Sequence, residues 1–292
     1  MTNSRLQSEI ILQGLWTRYS SWTSRVELVL EYFKIPYTAE YHNIFDPAFR
    51  PIHERLNGRL YPMLQPDSED PDFVIDESLA ICEYLAETFP ERGLWPRDAK
   101  LRALARGAAA QIHAGFNEIR NTYPTNFIAK YTGKIPINDA AAKEIVKMNR
   151  LWTNASVETM ERLRELGEED EGFLFGGFSI ADAFFWPVLW VCSSLSRDLP
   201  HSGNGRNCLR QLQRFRSYQL PLHNISVIQT QWMSKMWNHP VMQARAADYF
   251  KQAMDPKTQV DKYEDVFKGN PDVKFGSFEE DWNFSIDDRV YT

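Results

Sequence analysis

The segment PERGLWPRD, from Pro90 to Asp98, separates two stretches of chain with different hydrophobic periods. Its two prolines remove backbone donors and fix φ, so no regular element runs through it. Upstream, short apolar runs alternate with stretches at helical spacing. EIILQGLW (Glu9–Trp16) predicts a buried strand. From Ser24, Val26, Val29, Leu30 and Phe33 recur at helical spacing, with Thr23 or Ser24 as the expected cap and Pro36 as the stop. YTAEYHNI (Tyr37–Ile44) predicts a second strand. YPML (Tyr61–Leu64) and DFVIDE (Asp72–Glu77) predict a strand pair joined by the loop QPDSEDP. SLAICEYLAETF then places Leu79, Cys82, Leu85 and Phe89 on one helical face. This order is a small α/β unit with one parallel crossover and one hairpin.

Downstream the pattern is helical. Leu101, Leu104, Ala108, Ile112, Phe116, Ile119 and Tyr123 form one long stripe, and a further helix is expected from Asn138 to Leu166. FGGFSIADAFFWPVLWVCSSL (Phe175–Leu195) is nearly continuously apolar and predicts a buried central helix, kinked at Pro187. HSGNGRN (His201–Asn207) is a loop, followed by helices near Leu222–Trp237 and Pro240–Ala253. The expected organisation is an α/β domain over residues 9–90, a linker over 91–98, an all-α domain over 99–254 and a tail over 255–292. The tail is acidic yet carries Tyr263, Phe267, Phe275, Phe278, Trp282 and Phe284, too many aromatics for plain disorder. It is expected to dock as an extended strip anchored by those rings.

Composition removes several function classes. With 43% hydrophobic residues in 292, a substantial core is available. A formal net charge of −6 and the lack of a basic run argue against nucleic acid. No stretch approaches the ~20 apolar residues needed to span a bilayer, and MTNSRLQSEI lacks a signal pattern. The three cysteines form no CxxC and the six histidines no HExxH, so no metal site is expected. A cytoplasmic protein with reduced thiols is the expectation.

Two motifs carry candidate chemistry. YSSWTSR (Tyr19–Arg25) gathers hydroxyls between the first strand and first helix. They either cap a turn or hold a ligand, and the residues alone leave both open. SIAD (Ser179–Asp182) has the form of a capping box, which accounts for a carboxylate entering an apolar run.

SSWTSRVELVL, YPML…VIDESLAICEYL and SIADAFFWPVL, in that order, resemble the motifs of cytosolic glutathione transferases, in particular serine-type zeta-like, bacterial and fungal members. The resemblance covers roughly residues 10–253 and implies a thioredoxin-like domain followed by an all-helical domain. It implies glutathione as co-substrate or cofactor, no metal, and a homodimer. A free thiol has a pKa near ~8.5, so ionising it at neutral pH takes a shift of about 2 units, or roughly 3 kcal/mol. One or two hydrogen bonds to the anion, at about 1.5–3 kcal/mol each, supply that. The motif match makes Ser20 the thiolate-stabilising donor, with Tyr19 as a rival, and puts Ser21 and Trp22 at the mouth of the site. Pro62 resembles the family's cis-proline, with Tyr61 presenting its backbone to the peptide; Glu77 and Ser78 would hold the γ-glutamyl group. Capping by Asp76 or Ser78 is the structural alternative there. The glycine carboxylate has no clean match, with Arg50 and His53 as candidates, and Arg25 is expected to pair with an acidic neighbour. A hydrophobic electrophile would lie between the domains, walled by His113, Phe116, Arg120 and Tyr123 on one helical face. The implied activity is glutathione conjugation to a mostly apolar small molecule. The alternatives are a glutathione-dependent cis–trans isomerase and a glutathione-binding module without turnover.

Overall fold

The computed structural model describes residues 9–55, 59–67, 70, 72–136, 138–190 and 227–280. Strand β1 (Ile11–Leu15) sits inside a four-stranded sheet of order β2-β1-β3-β4, with β2 (Thr38–His42), β3 (Met63–Gln65) and β4 (Ile75–Asp76). β1 pairs parallel with β2, while β1–β3 and β3–β4 are antiparallel. The crossover between β1 and β2 is helix α1 (Ser21–Tyr32); α2 (Arg50–Arg55) precedes β3, and α3 (Ser78–Thr88) follows β4. This is a thioredoxin-like arrangement. Helix α1 starts at Ser21 with Ser20 as its cap, earlier than the hydrophobic period alone indicates, because the Ser20 side chain accepts from Thr23 N.

The helical part comprises α4 (Ala99–Ala114), α5 (Asn117–Thr122), α6 (Asp139–Leu166), α7 (Ile180–Trp190), α8 (Val227–Asn238) and α9 (Pro240–Met254). The stripe read as one helix from Leu101 to Tyr123 is broken: Gly115 ends α4, and Phe116 adopts a left-handed φ of 60° before α5. The central helix begins at Ile180, not Phe175, because Phe173 and Gly176 bridge in a short turn before it. Everything expected over residues 191–226, the loop His201–Asn207 included, lies outside the described residues, as do His53's side chain and the tail's Trp282 and Phe284.

The core of the helical part is aromatic. Trp152, Trp186, Trp190 and Trp232 are fully buried, Phe127 stacks on Tyr249 with centroids 4.3 Å apart, and Trp186 Nε1 donates to Tyr249 Oη at 3.1 Å. Asp182, 0% exposed, starts α7 as a hub. Its oxygens accept from Leu174 N, Ser179 N, Ser179 Oγ and Trp232 Nε1. The carboxylate therefore reaches back as a box requires, but Ser179 spends its hydroxyl on Asp182. Burial still pushes the Asp182 pKa up to about 6.

The two parts are pinned together. Arg106 of α4 makes a forked pair with Glu83 of α3, which also accepts from Trp95 Nε1. Glu27 of α1 is buried against Arg245 of α9 at 3.0 Å. The tail then crosses back through α10 (Asp261–Glu264) to β6 (Val273–Ser277), which pairs antiparallel with β5 (Ala129–Gly133). Among the described residues no helix is long and apolar enough to cross a membrane.

Candidate functional site

The site is built where β1 ends. Tyr19 N and Ser20 N both donate to Trp16 O at 3.0 Å, closing a turn that delivers Ser20 to the start of α1. The β1–β3 register, Gln13 opposite Met63, carries Tyr61 to the same end of the sheet as Leu15. The Tyr61–Pro62 peptide is cis. A cleft of about 400 Å³ opens beside Ser20, Ser21 and Trp22, and a second cavity of about 840 Å³ contains Tyr61, Arg50 and Arg59. The two share Leu15, Ile44 and Phe45, so they form one groove across the edge of the sheet.

The helix start at α3 is capped by Glu77, not by Asp76 or Ser78. Its φ of 95° turns its own carboxylate onto Leu79 N and Ala80 N, at 2.9 and 3.0 Å. Ser78 is buried, with its hydroxyl 3.1 Å from Glu77 Oε1. His113 Nδ1 lies 3.4 Å from Glu77 Oε1, within ion-pairing range, and its ring meets the Trp22 ring edge-on.

Tyr19 and Ser20 part company here. Tyr19 donates its hydroxyl proton to Glu264, which also takes Arg18 Nη2. Burial and that carboxylate hold the Tyr19 pKa well above the usual phenol value. Its proton is committed to the tail. Ser20 lines the cleft, and among the described residues no carboxylate claims its proton.

The opposite wall comes from α5 and the tail. Arg120 and Tyr123 line the cleft, with Ile119, Pro187, Val260 and Tyr263. Phe116 does not. The break at Gly115 takes it off the stripe, and at 3% exposure it packs in the core with Lys147 over its ring. His113 also stays off that wall and faces Glu77. Among the described residues no carboxylate comes within ion-pairing distance of Arg25, although the Glu77 charge acts on it; its guanidinium lies over Trp22 and Phe184, and its Nε and Nη1 make no hydrogen bond there. Burial and the neighbouring Arg120 charge lower the Arg25 pKa to about 9. Arg120 donates to the Ile112 and His113 carbonyls at the end of α4 and also lies over Trp22, and burial lowers its pKa too.

Sequence reasoning missed Arg18, His42, Val260 and Tyr263 as site neighbours. Only the aromatic content of the tail signalled any of them. Among the described residues no His, Cys, Asp or Glu cluster could hold a metal.

Residues 17–93 match the family profile described as glutathione S-transferase, N-terminal domain. A maleylacetoacetate isomerase of Dictyostelium discoideum is 33% identical over 128 residues, 44% of this chain and 57% of the relative. Over residues 17–93 the chain is therefore similar to the N-terminal domain of glutathione S-transferases. Glutathione S-transferase Z1 of Arabidopsis thaliana is 27% identical over 164 residues, 53% of this chain and 70% of that protein. The chain spans about half the length of the first curated relatives it matches. The nitrogen regulation fragment of the yeast prion protein Ure2p shares the fold, with a TM-score of 0.50 at 18% identity, covering 81% of this chain and 95% of that one.

Proposed function

We propose that this chain is a glutathione-dependent enzyme that holds the tripeptide in the groove beside Ser20, with its γ-glutamyl end toward the start of α3, and uses its thiolate against a small electrophile between the domains. The single observation that carries this reading is the exposure of Ser20 to the cleft at the start of α1 while Tyr19 is engaged by Glu264. Ser20 donates to the sulfur; Ser21 and Trp22 frame the approach. The backbone of Tyr61 flanks the cysteinyl unit. Ser78 offers its amide and hydroxyl to the γ-glutamyl carboxylate, and the Glu77 carboxylate faces the ammonium. The substrate wall is Arg120, Tyr123, Val260 and Tyr263. Conjugation to an electrophilic, mostly apolar molecule is the first reading.

A second reading, isomerisation, has support of its own. The Dictyostelium relative is named for it, and two guanidiniums, Arg25 and Arg120, line the cleft and suit an anionic substrate better than a purely apolar one. In that reaction the sulfur adds to a conjugated double bond, rotation follows, and the sulfur leaves again.

Ser20→Ala and Tyr19→Phe are to be assayed with glutathione against an activated aryl halide and against a cis-enoyl acid. Ser20→Ala is expected to lower turnover roughly 10- to 100-fold with glutathione binding nearly intact, and Tyr19→Phe to stay within about threefold. The reverse order of effects overturns the assignment. A product mass equal to the substrate's selects isomerisation; a glutathione adduct selects conjugation; neither, with glutathione bound, leaves a binding module.

A further inference from the structure

The turn that caps α1 also fixes where one proton points. Ser20 Oγ accepts from Thr23 N at 3.2 Å, and the Ser20 and Thr23 hydroxyl oxygens are 2.9 Å apart. Thr23 Oγ1 in turn accepts from Leu15 N, the last residue of β1, at 3.1 Å. A hydroxyl carries one proton and two lone pairs, so the shared bond has two possible directions.

If Ser20 donated to Thr23, both Thr23 lone pairs would be filled, by Leu15 N–H and Ser20 O–H. The Thr23 proton, in a side chain 0% exposed, would then have no acceptor among the described residues. Buried donors left in that state are disfavoured. With Thr23 as donor every group is satisfied. Both Ser20 lone pairs are then occupied, by Thr23 N–H and Thr23 O–H. All that Ser20 has left to offer the cleft is its proton.

A second observation shows the strand shaped around this side chain. A Cβ added at Gly14 would lie 2.3 Å from Thr23 Cγ2 and 3.1 Å from Thr23 Oγ1. Only glycine lets Thr23 approach β1 closely enough to take the Leu15 amide while reaching Ser20.

We propose that Thr23 is a positioning residue for the thiol chemistry: its hydroxyl, anchored to β1 through Leu15, holds Ser20 as a donor that cannot accept, with the Ser20 proton directed at a sulfur in the cleft. This rests on the reading of Ser20 as the thiolate's hydrogen-bond donor. A donor-only hydroxyl favours the anion over the thiol, because a thiol would need an acceptor for its own proton. Polarisation along the chain from the Leu15 amide strengthens the last bond.

The test compares the full chain with Thr23→Val, which keeps the shape and removes the hydroxyl, and Thr23→Ser, which keeps the hydroxyl. The readouts are the ultraviolet absorbance of bound glutathione thiolate against pH, and glutathione affinity by calorimetry at a pH where the thiol is fully ionised. Thr23→Val is expected to raise the bound thiol's pKa by about 0.5–1 unit, with turnover below that pKa falling about 3- to 10-fold. Affinity at high pH should change less than about twofold, and Thr23→Ser should restore the wild-type pKa. In a Ser20→Ala background, Thr23→Val should add no further shift.

An unshifted pKa in Thr23→Val overturns the proposal, and so does a shift that Thr23→Ser fails to restore or one that persists without Ser20. If Thr23→Val does not fold, Thr23→Ala, which adds no bulk beside Gly14, is held to the same criteria; if neither folds, the hydroxyl's role is structural and the proposal is wrong. A wild-type protein that binds no glutathione, or shows no thiolate band with it bound, sinks the reading of Ser20 and this inference with it. A wild-type band with an unshifted variant sinks the inference alone.

Discussion

Glu264→Gln isolates the grip of the tail on the loop that carries Ser20. The Arg18 side chain is 2% exposed and its Nη2 lies 2.5 Å from Glu264 Oε2; Glu264 itself is 30% exposed. Breaking a buried pair from one side costs about 3–5 kcal/mol, because a charge is left without its partner. Partial solvent access to Glu264 reduces that figure, while the weakened bond from Tyr19 adds about 1 kcal/mol. The Arg18 backbone keeps its partners, since Arg18 N still donates to Gln252 and Arg18 O still accepts from Phe127 N. The expected net loss is about 2–3 kcal/mol, which lowers Tm by about 4–12 °C in a chain of this size. Differential scanning fluorimetry and urea titration read it directly. Arg18→Met in the Glu264→Gln background should recover part of the loss, with a coupling energy of about 1 kcal/mol or more. A Glu264→Gln protein that melts within about 1 °C of wild type would show that Arg18 finds compensation elsewhere and that the tail contributes little.

Asp182 predicts a pH signature. Its folded pKa of about 6 lies above the ordinary carboxyl value of ~3.9. Its contribution is therefore fully present below about pH 4 and is lost as pH rises through 6, by at most about 3 kcal/mol. Urea midpoints for Asp182→Asn should lose that slope between about pH 4 and 6 and sit lower at pH 7, since an amide has one oxygen for the four donors now shared by two; an unchanged slope refutes the assignment. The family resemblance also leads us to propose a homodimer, so sedimentation at micromolar concentration should give twice the chain mass, and a monomer alone would refute it.

The α/β order and the helix ends at Asn138 and Pro240 were legible because local chemistry decides them. Asn138 caps α6 through Ala141 N, and Pro240 opens α9 with His239 as cap. The α1 start was misplaced because SSWTS offers several hydroxyls, and which one caps depends on the turn closed by Trp16 O. The break at Phe116 was hidden because Gly115 sits inside an otherwise continuous stripe. β5 and β6 gave no signal. AKYTG and VKFGS are short, β6 is mostly exposed, and their pairing is non-local. For the site, the Ser20 turn, the Tyr61–Pro62 bond and the Glu77–Ser78 junction could be located from motifs. The placing of Arg25 over Trp22 and Phe184, and the arrival of Glu264 at Tyr19, are facts of tertiary packing that no local window contains.

The Arg18–Glu264 contact joins residues 246 positions apart. Closing so long a loop costs little more than closing one half as long, but the contact cannot form until Glu264 has left the ribosome. The sheet and α1 are complete in sequence long before then, and synthesis proceeds at about 5–20 residues per second. A nascent chain thus holds Ser20 in a loop whose neighbouring guanidinium has no counter-charge and whose cleft lacks Val260 and Tyr263. The groove is closed by residues that emerge long after the sheet and α1, so a partly made chain carries the Ser20 turn without the wall against which an electrophile would be held.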